Sequence, residues 1–316
     1  MTDEQSCEGC TGSDCQGGGG QEQQEPFQHD VAGAIDQREF ARSMGRIKHK
    51  VIVLSGKGGV GKSTVAVNIA TGLALNAKKV GLLDVDLHGP SVPMMLDLQG
   101  QTIKSAGHII MPVKYQDMMK VLSLGFMLRD RDDAVIWRGP SKISVIQQYL
   151  RDADWGDLDY LVVDSPPGTG DEPLSICQLI PDLDGAVIVT TPQDVALADV
   201  RKSITFCNKV QVPVLGVVEN MSNPVCPHCG KEVVVFGSGG GEKMAEELGV
   251  PFLGRIPLNA AVSESGERGK PVVQDQVGTD IAFAFQRILP PILKLDETKS
   301  KTDTSGYSDT VTESEE

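Results

Sequence analysis

The sequence lacks any apolar run approaching the ~18 residues that a membrane-crossing helix needs. Its opening, Met1 to Cys7, has no basic region leading into an apolar stretch, so no secretory signal is expected. Positive charge is scarce: 29 Lys and Arg stand against 43 Asp and Glu, a net charge of −14. That deficit speaks against a nucleic-acid-binding surface, which needs clustered cations to neutralise phosphates. The acidic end of the chain likewise denies a basic amphipathic helix for a membrane surface. Cysteine is sparse and odd in number, seven, which suits ligands or buried thiols in a cytoplasmic protein better than a disulfide frame. What is present is an ordinary globular composition, 40% hydrophobic and 23% charged over 316 residues, enough for a large core.

The chain is organised around one stretch. A β-branched run, Val51 to Leu54, breaks into Gly56-Lys57-Gly58-Gly59-Val60-Gly61-Lys62-Ser63-Thr64, and an apolar helical pattern follows from Val65 to Leu73. Gly56, Gly61, Lys62 and Ser63 fill the phosphate-loop pattern G-x-x-x-x-G-K-[ST] in its strand-to-helix context. Glycines let backbone N–H groups turn toward phosphate oxygens, and a helix N-terminus adds a positive dipole end. Lys62 is expected to reach the β- and γ-phosphates, and the Ser63 hydroxyl to ligate Mg2+.

Carboxylates follow at the ends of further apolar runs. Lys79 to Asp86 reads as a buried strand ending in Asp84 and Asp86, and Asp159 to Asp164 reads as a Walker B strand. Acids at carboxyl-terminal strand ends lie on the ligand side of an open α/β sheet. Asp86 is therefore expected to orient the attacking water or Mg2+, and Asp164 to hold Mg2+ through its water shell. Residues 165–172, rich in Gly and Pro, suit a switch loop. Asn208-Lys-Val-Gln211 resembles a guanine-reading motif but carries Gln211 where an acid is needed. Asn220, at a strand end, is the better base-reading residue.

Two groups of cysteines stand apart from the predicted core. Cys226 and Cys229 form a C-x2-C knuckle able to point two thiolates at one metal, half of a tetrahedral set. A second subunit, the N-terminal cysteines or His228 are the ways of completing it, and a shared site on a twofold axis is geometrically natural. Zn2+ and a [4Fe-4S] cluster both suit four thiolates, and spacing alone does not choose. Cys7, Cys10 and Cys15, spaced C-x2-C-x4-C, make a candidate second site, with His29, an external group or a second subunit to supply the fourth ligand.

Alternating strands and helices predict an α/β fold: a doubly wound, mostly parallel sheet with flanking helices. The expected organisation is a flexible cysteine-containing segment over residues 1–35, a phosphate-loop ATPase domain over 36–295 with the C-x2-C insert near 226–229, and a disordered acidic tail over 296–316. A charged helix is expected from Asp36 to Lys48, strands at Gly107 to Val113 and Met119 to Leu124, and a closing helix from Ile281 to Leu295. Trp137 to Ser141 reads as a functional loop.

Taken together, these motifs carry a family resemblance. The two-lysine loop resembles that of the MinD/ParA class of ATPases. With Asp84-Val-Asp-Leu-His-Gly-Pro-Ser91, Asp164-Ser-Pro-Pro-Gly-Thr-Gly-Asp171, Glu219-Asn-Met-Ser222 and Cys226-Pro-His-Cys229, residues 45–295 resemble the Mrp-like iron–sulfur cluster carriers. The resemblance implies a homodimer that binds ATP with Mg2+, hydrolyses it slowly, and holds a [4Fe-4S] cluster between paired Cys226 and Cys229. Cluster donors and apo iron–sulfur proteins are its implied partners. Lys57 is implied to contact nucleotide across the dimer, and Asn220 to contact adenine. The N-terminal cysteines look like those of the eukaryotic cytosolic scaffold, which has four where this chain has three. The competing readings are a zinc-stabilised MinD/ParA-type regulatory switch, and a cluster scaffold in which nucleotide is only a conformational ligand.

Overall fold

A computed structural model of the chain describes residues 38, 40–86, 89, 91–127, 139–224, 226, 228–234 and 239–297. Cys7, Cys10, Cys15, His29 and Trp137 lie outside the described residues, as do most of the segments expected over 1–35 and 296–316.

The first strand, β1 (Ile47–Ser55), is buried at eight of its nine positions. Its residues alternate between two cores. Val51 and Val53 pack on one face of the sheet, against the helix α1 (Lys62–Leu75), while Ile52 and Leu54 pack on the other. Such a strand has no solvent face, which is why it reads as a continuous apolar run. Helix α1 is itself apolar nearly all round, and Val65, Ala66, Ile69, Ala70 and Leu73 are fully buried.

β2 (Val80–Asp84) follows, then α2 (Val92–Met95), the hairpin β3 (Lys104–Ala106) and β4 (Ile109–Met111), and the strands β5 (Val113–Tyr115) and β6 (Met119–Ser123). α3 (Gly139–Asp152) leads to β7 (Leu158–Asp164), α4 (Asp171–Leu179), β8 (Gly185–Thr190), α5 (Asp194–Lys209) and β9 (Val214–Ser222). The chain then forms α6 (Gly240–Glu247), β10 (Phe252–Pro257), α7 (Ala260–Glu267), α8 (Val272–Asp275), α9 (Asp280–Gln286) and α10 (Pro290–Leu293). The sheet order is β10-β9-β8-β1-β7-β2-β6-β5. Every pairing in it is parallel except that of the edge strand β5 with β6. The expected doubly wound, mostly parallel sheet is therefore present. Its strands β1, β2 and β7 all end at one edge, and register sets Asp84 opposite both Asp164 and Ser123.

Three local expectations need correction. The helix expected to run to Lys48 stops at Gly45, and β1 already begins at Ile47. The strand extends back through polar residues because their needs are met: Lys48 bonds Asp159 at 2.6 Å, and the Lys50 N–H donates to Asp184 at 2.8 Å. The single strand expected over Gly107 to Val113 is broken, because Gly107 takes a left-handed turn (φ 65°) between β3 and β4. The closing helix expected over Ile281 to Leu295 splits into α9 and α10 at Pro290-Pro291, since proline cannot continue the ladder.

Candidate functional site

The phosphate loop joins β1 to α1 at the edge where the strand-end carboxylates gather. Gly61 is the N-cap of α1 in the left-handed region (φ 80°), and no side chain caps the helix. Its first N–H groups are thus left for a ligand. A Cβ on Gly61 would sit 2.2 Å from Asn220 Nδ2, and one on Gly56 would sit 2.4 Å from Asp199 Cβ, whereas Gly58 and Gly59 face open space. Close backbone packing on two sides and free space between them make a cradle. Val60 is buried beneath it.

Lys62 is almost fully buried and turned onto the acids. Its Nζ lies 2.5 Å from Asp164 Oδ1, 3.5 Å from Asp86 Oδ2 and 3.3 Å from Ser63 Oγ. Burial opposes its charge, but Asp164, then Asp86 and Asp84, outweigh burial and raise its pKa. Burial pushes the Asp164 carboxyl up, against the pull of Lys62. Its second oxygen, Oδ2, is buried and makes no hydrogen bond of ordinary geometry. A buried carboxylate oxygen left over beside a serine hydroxyl and a second acid suits a hydrated divalent cation, so Ser63, Asp86 and Asp164 fit Mg2+.

Sequence reasoning assigned Asp84 no role, and the structure gives it a distinctive state. Its carboxyl is fully buried, accepts the Ser123 hydroxyl at 2.8 Å and the Asp86 N–H at 3.1 Å, and is pushed up to about 8 by burial and by Asp164. Ser123 was missed altogether. The available signal was a polar residue following the apolar pair Val121-Leu122 at the end of an expected strand.

Asn220 is buried in β9, and its Nδ2 donates to the Val60 carbonyl at 2.8 Å. Beside it lies a cavity of about 330 Å3 whose lining includes Gly61, Thr64, Asn68, Asn220, Met221 and Leu258. It joins the phosphate cradle through Gly61. A larger cavity, about 1260 Å3 and lined by Met94, Ile103, Phe126 and Met127 among others, holds none of the candidate site residues. Lys57 is half-buried, with its Nζ 3.5 Å from Gln193 Oε1 of the same chain.

The cysteine knuckle has a defined backbone. Cys226 N–H donates to the Lys231 carbonyl at 2.8 Å, and Gly230 N–H to the Cys226 carbonyl at 2.9 Å, with Gly230 left-handed (φ 68°). The backbone N–H groups of Cys229 and His228, and then the Cys229 thiol, point at Cys226 and hold its pKa below the ordinary thiol value. N–H groups aimed at a sulfur stabilise a thiolate, the form that binds metal. Cys229 is exposed, and no group of three or more His, Cys, Asp or Glu that could hold a metal occurs among the described residues. Cys177 and Cys207 are core thiols, pushed by burial up to about 11 and about 12.

The family model for the NUBPL iron-transfer P-loop NTPase of the ParA group matches residues 46–293. This chain belongs to that family. One relative is an iron–sulfur cluster carrier protein of Methanocaldococcus jannaschii, 53% identical over 235 residues, covering 74% of this chain and 81% of that protein. Among solved structures, a nucleotide-binding protein from Archaeoglobus fulgidus in complex with ADP is 36% identical with a TM-score of 0.66, covering 74% of this chain and 91% of that one. The cell division ATPase MinD of Pyrococcus furiosus, 23% identical with a TM-score of 0.56 and covering 78% and 99%, shares the fold. No helix among the described residues is long and apolar enough to cross a membrane.

Proposed function

We propose that the protein is an ATP-binding, slowly hydrolysing carrier that holds a [4Fe-4S] cluster between two copies of the chain and passes it to apo-proteins. The observation that carries this reading is the preformed two-thiol knuckle, half-buried Cys226 beside exposed Cys229, set on a phosphate-loop chassis. A cluster needs about four thiolates, and each chain offers a pair. A twofold pairing supplies the rest without any new ligand type. The name of the Methanocaldococcus relative supports the same cargo.

In this reading the 330 Å3 cavity takes the base beside Asn220, residues 56–64 take the phosphates, and Ser63, Asp86 and Asp164 hold Mg2+. Mg2+ would supply neutralisation of phosphate charge. Lys62 leaves Asp164 for the phosphates when nucleotide enters, an exchange of one anionic partner for another. Lys57 lies on the loop where a second copy's nucleotide can be reached. Cys7, Cys10 and Cys15 are candidate ligands of a second thiol site. The chain divides into a cysteine-containing segment over 1–35, an ATPase domain over 36–295 and an acidic tail over 296–316, and the protein acts in the cytoplasm.

Anaerobic reconstitution with iron and sulfide tests the reading. We expect about one [4Fe-4S] cluster per two chains at the knuckle, from the ligand count. Cys226→Ala with Cys229→Ala is expected to abolish it while ATP binding persists. Stoichiometric zinc at that pair, with no uptake of iron, would overturn the carrier reading in favour of a zinc-stabilised switch. Transfer that runs equally well with a non-hydrolysable ATP analogue would make nucleotide a conformational ligand only.

A further inference from the structure

Glu219 sits where the base cavity and the cysteine loop share one backbone. Its side chain is fully buried. Oε2 accepts the Gly241 N–H at 2.7 Å, and Oε1 accepts the Ser222 hydroxyl at 2.8 Å and the Gly239 N–H at 3.4 Å. Arg255 Nε stands 3.4 Å from Oε1, from the neighbouring strand β10. These partners mark the two ends of residues 223–238, which contain the knuckle. Ser222 is the last residue before the loop; Gly239 and Gly241 come just after it. One carboxylate therefore fastens both ends.

The fit at the return end is close. A Cβ on Gly241 would lie 3.0 Å from Glu219 Oε2 and 3.1 Å from Glu219 Cβ. Gly239 is the N-cap of α6 and offers no side-chain cap, so the Glu219 carboxylate takes that place and meets the positive end of the helix. On the other side of the strand the neighbouring residues face the nucleotide cavity. Asn220 is tied to Val60 of the phosphate loop, and Met221 lines the cavity with its backbone in the left-handed region (φ 55°). The register of β9 with β10 shifts between Ile256 and Pro257, opposite this residue. A strained, bulged residue is held only by its surroundings, so a ligand against it has something to move.

We propose that Glu219 is a positioning residue. It holds the mouth of the cysteine loop in the geometry that presents Cys226 and Cys229 to one metal, and it relays nucleotide occupancy at Asn220 and Met221 to that loop. The metal half of this inference rests on the carrier reading; the relay from nucleotide to loop does not. The coupling runs within one chain, through four consecutive residues.

The test uses the full chain with Co2+ alone as probe metal, read by thiolate-to-cobalt charge-transfer absorption, with ADP titrated separately. Hydrogen exchange at residues 226 and 228–234 is followed with and without ADP. Glu219→Gln puts an amide NH2 where an oxygen now accepts, so at least one fastening bond is lost. We expect Co2+ binding weaker by about tenfold to a hundredfold, the usual cost of removing a group that orients metal ligands. ADP affinity is expected to hold, while the loop exchanges faster and no longer responds to ADP. Ser222→Ala, which removes one bond to Oε1, is expected to act in the same direction with smaller effect, and keeps the test decisive if Glu219→Gln does not fold. Wild-type Co2+ affinity and an intact ADP response in both variants overturn the proposal, as does a parallel loss of ADP binding, which marks general damage. If the unaltered chain binds no Co2+ at its cysteines yet ADP still slows loop exchange through Glu219, the carrier reading fails and the relay stands.

Discussion

Replacing Gly61 with alanine perturbs two things at once, and their sum is calculable. The residue is left-handed at φ 80°, where an L side chain costs about 1–2 kcal/mol. The new Cβ would also stand 2.2 Å from Asn220 Nδ2, so the amide must leave its 2.8 Å bond to the Val60 carbonyl. Asn220 is buried, and losing that bond there costs about 1–3 kcal/mol. Gly61→Ala is therefore expected to destabilise the nucleotide-free protein by about 2–5 kcal/mol. Asn220→Ala alone loses only the bond, about 1–3 kcal/mol. In the double variant the bond is lost once and the collision is gone, since the next atom beyond Asn220 is Met221 Cε at 3.7 Å. The pair should then be subadditive by about 1–3 kcal/mol. Urea unfolding of the four proteins without nucleotide, with slopes compared, measures this directly. Additive costs would refute the reasoning, because they would mean that Gly61 and Asn220 do not meet.

Two further expectations concern protons. Asp84 is raised toward about 8, so between its unfolded and folded values the native state holds a proton that the unfolded chain has released. Stability is then fully present below the unfolded pKa and is lost as pH rises, with a slope approaching about 1.4 kcal/mol per pH unit. Asp84→Asn should flatten unfolding free energy between pH 5 and pH 8; an unchanged slope would assign the effect elsewhere. Among the thiols, Cys226 is expected to react with iodoacetamide at pH 8 well before Cys177 and Cys207, whose pKa values of about 11 and about 12 and burial protect them. Mass spectrometry of labelled peptides reads the order, and comparable labelling of Cys207 would contradict the packing.

The sheet was legible because its strands are buried on both faces. Val51 to Leu54 and Gly185 to Thr190 are apolar runs with no alternative location. The phosphate loop was legible because glycine spacing and a lysine–serine pair leave few other readings. Asn220 was placed at a strand end, and β9 in fact continues through it to Ser222. What sequence could not show was pairing at a distance. Lys48 reads as the end of a helix and Lys50 as lying before the strand until Asp159 and Asp184 arrive beside them. Ser123 follows the apolar pair Val121-Leu122 and Glu219 opens Glu219-Asn-Met-Ser222, but neither stretch shows its partner. Their importance comes from the neighbours that register and a returning loop supply, Asp84 for one and Gly241 for the other.

The closed mouth of the cysteine loop has a consequence for what the scaffold tolerates. Because Glu219 brings Ser222 and Gly241 together, the excursion begins and ends at nearly one point. Chain entropy then depends weakly on how much sequence lies between, about 0.6 kcal/mol for each doubling of length. Natural variation or grafting can lengthen, shorten or re-equip that segment with other ligands while β9 and α6 keep their seats. The carried group is in this sense exchangeable, and the nucleotide machinery beside it does not have to change with it.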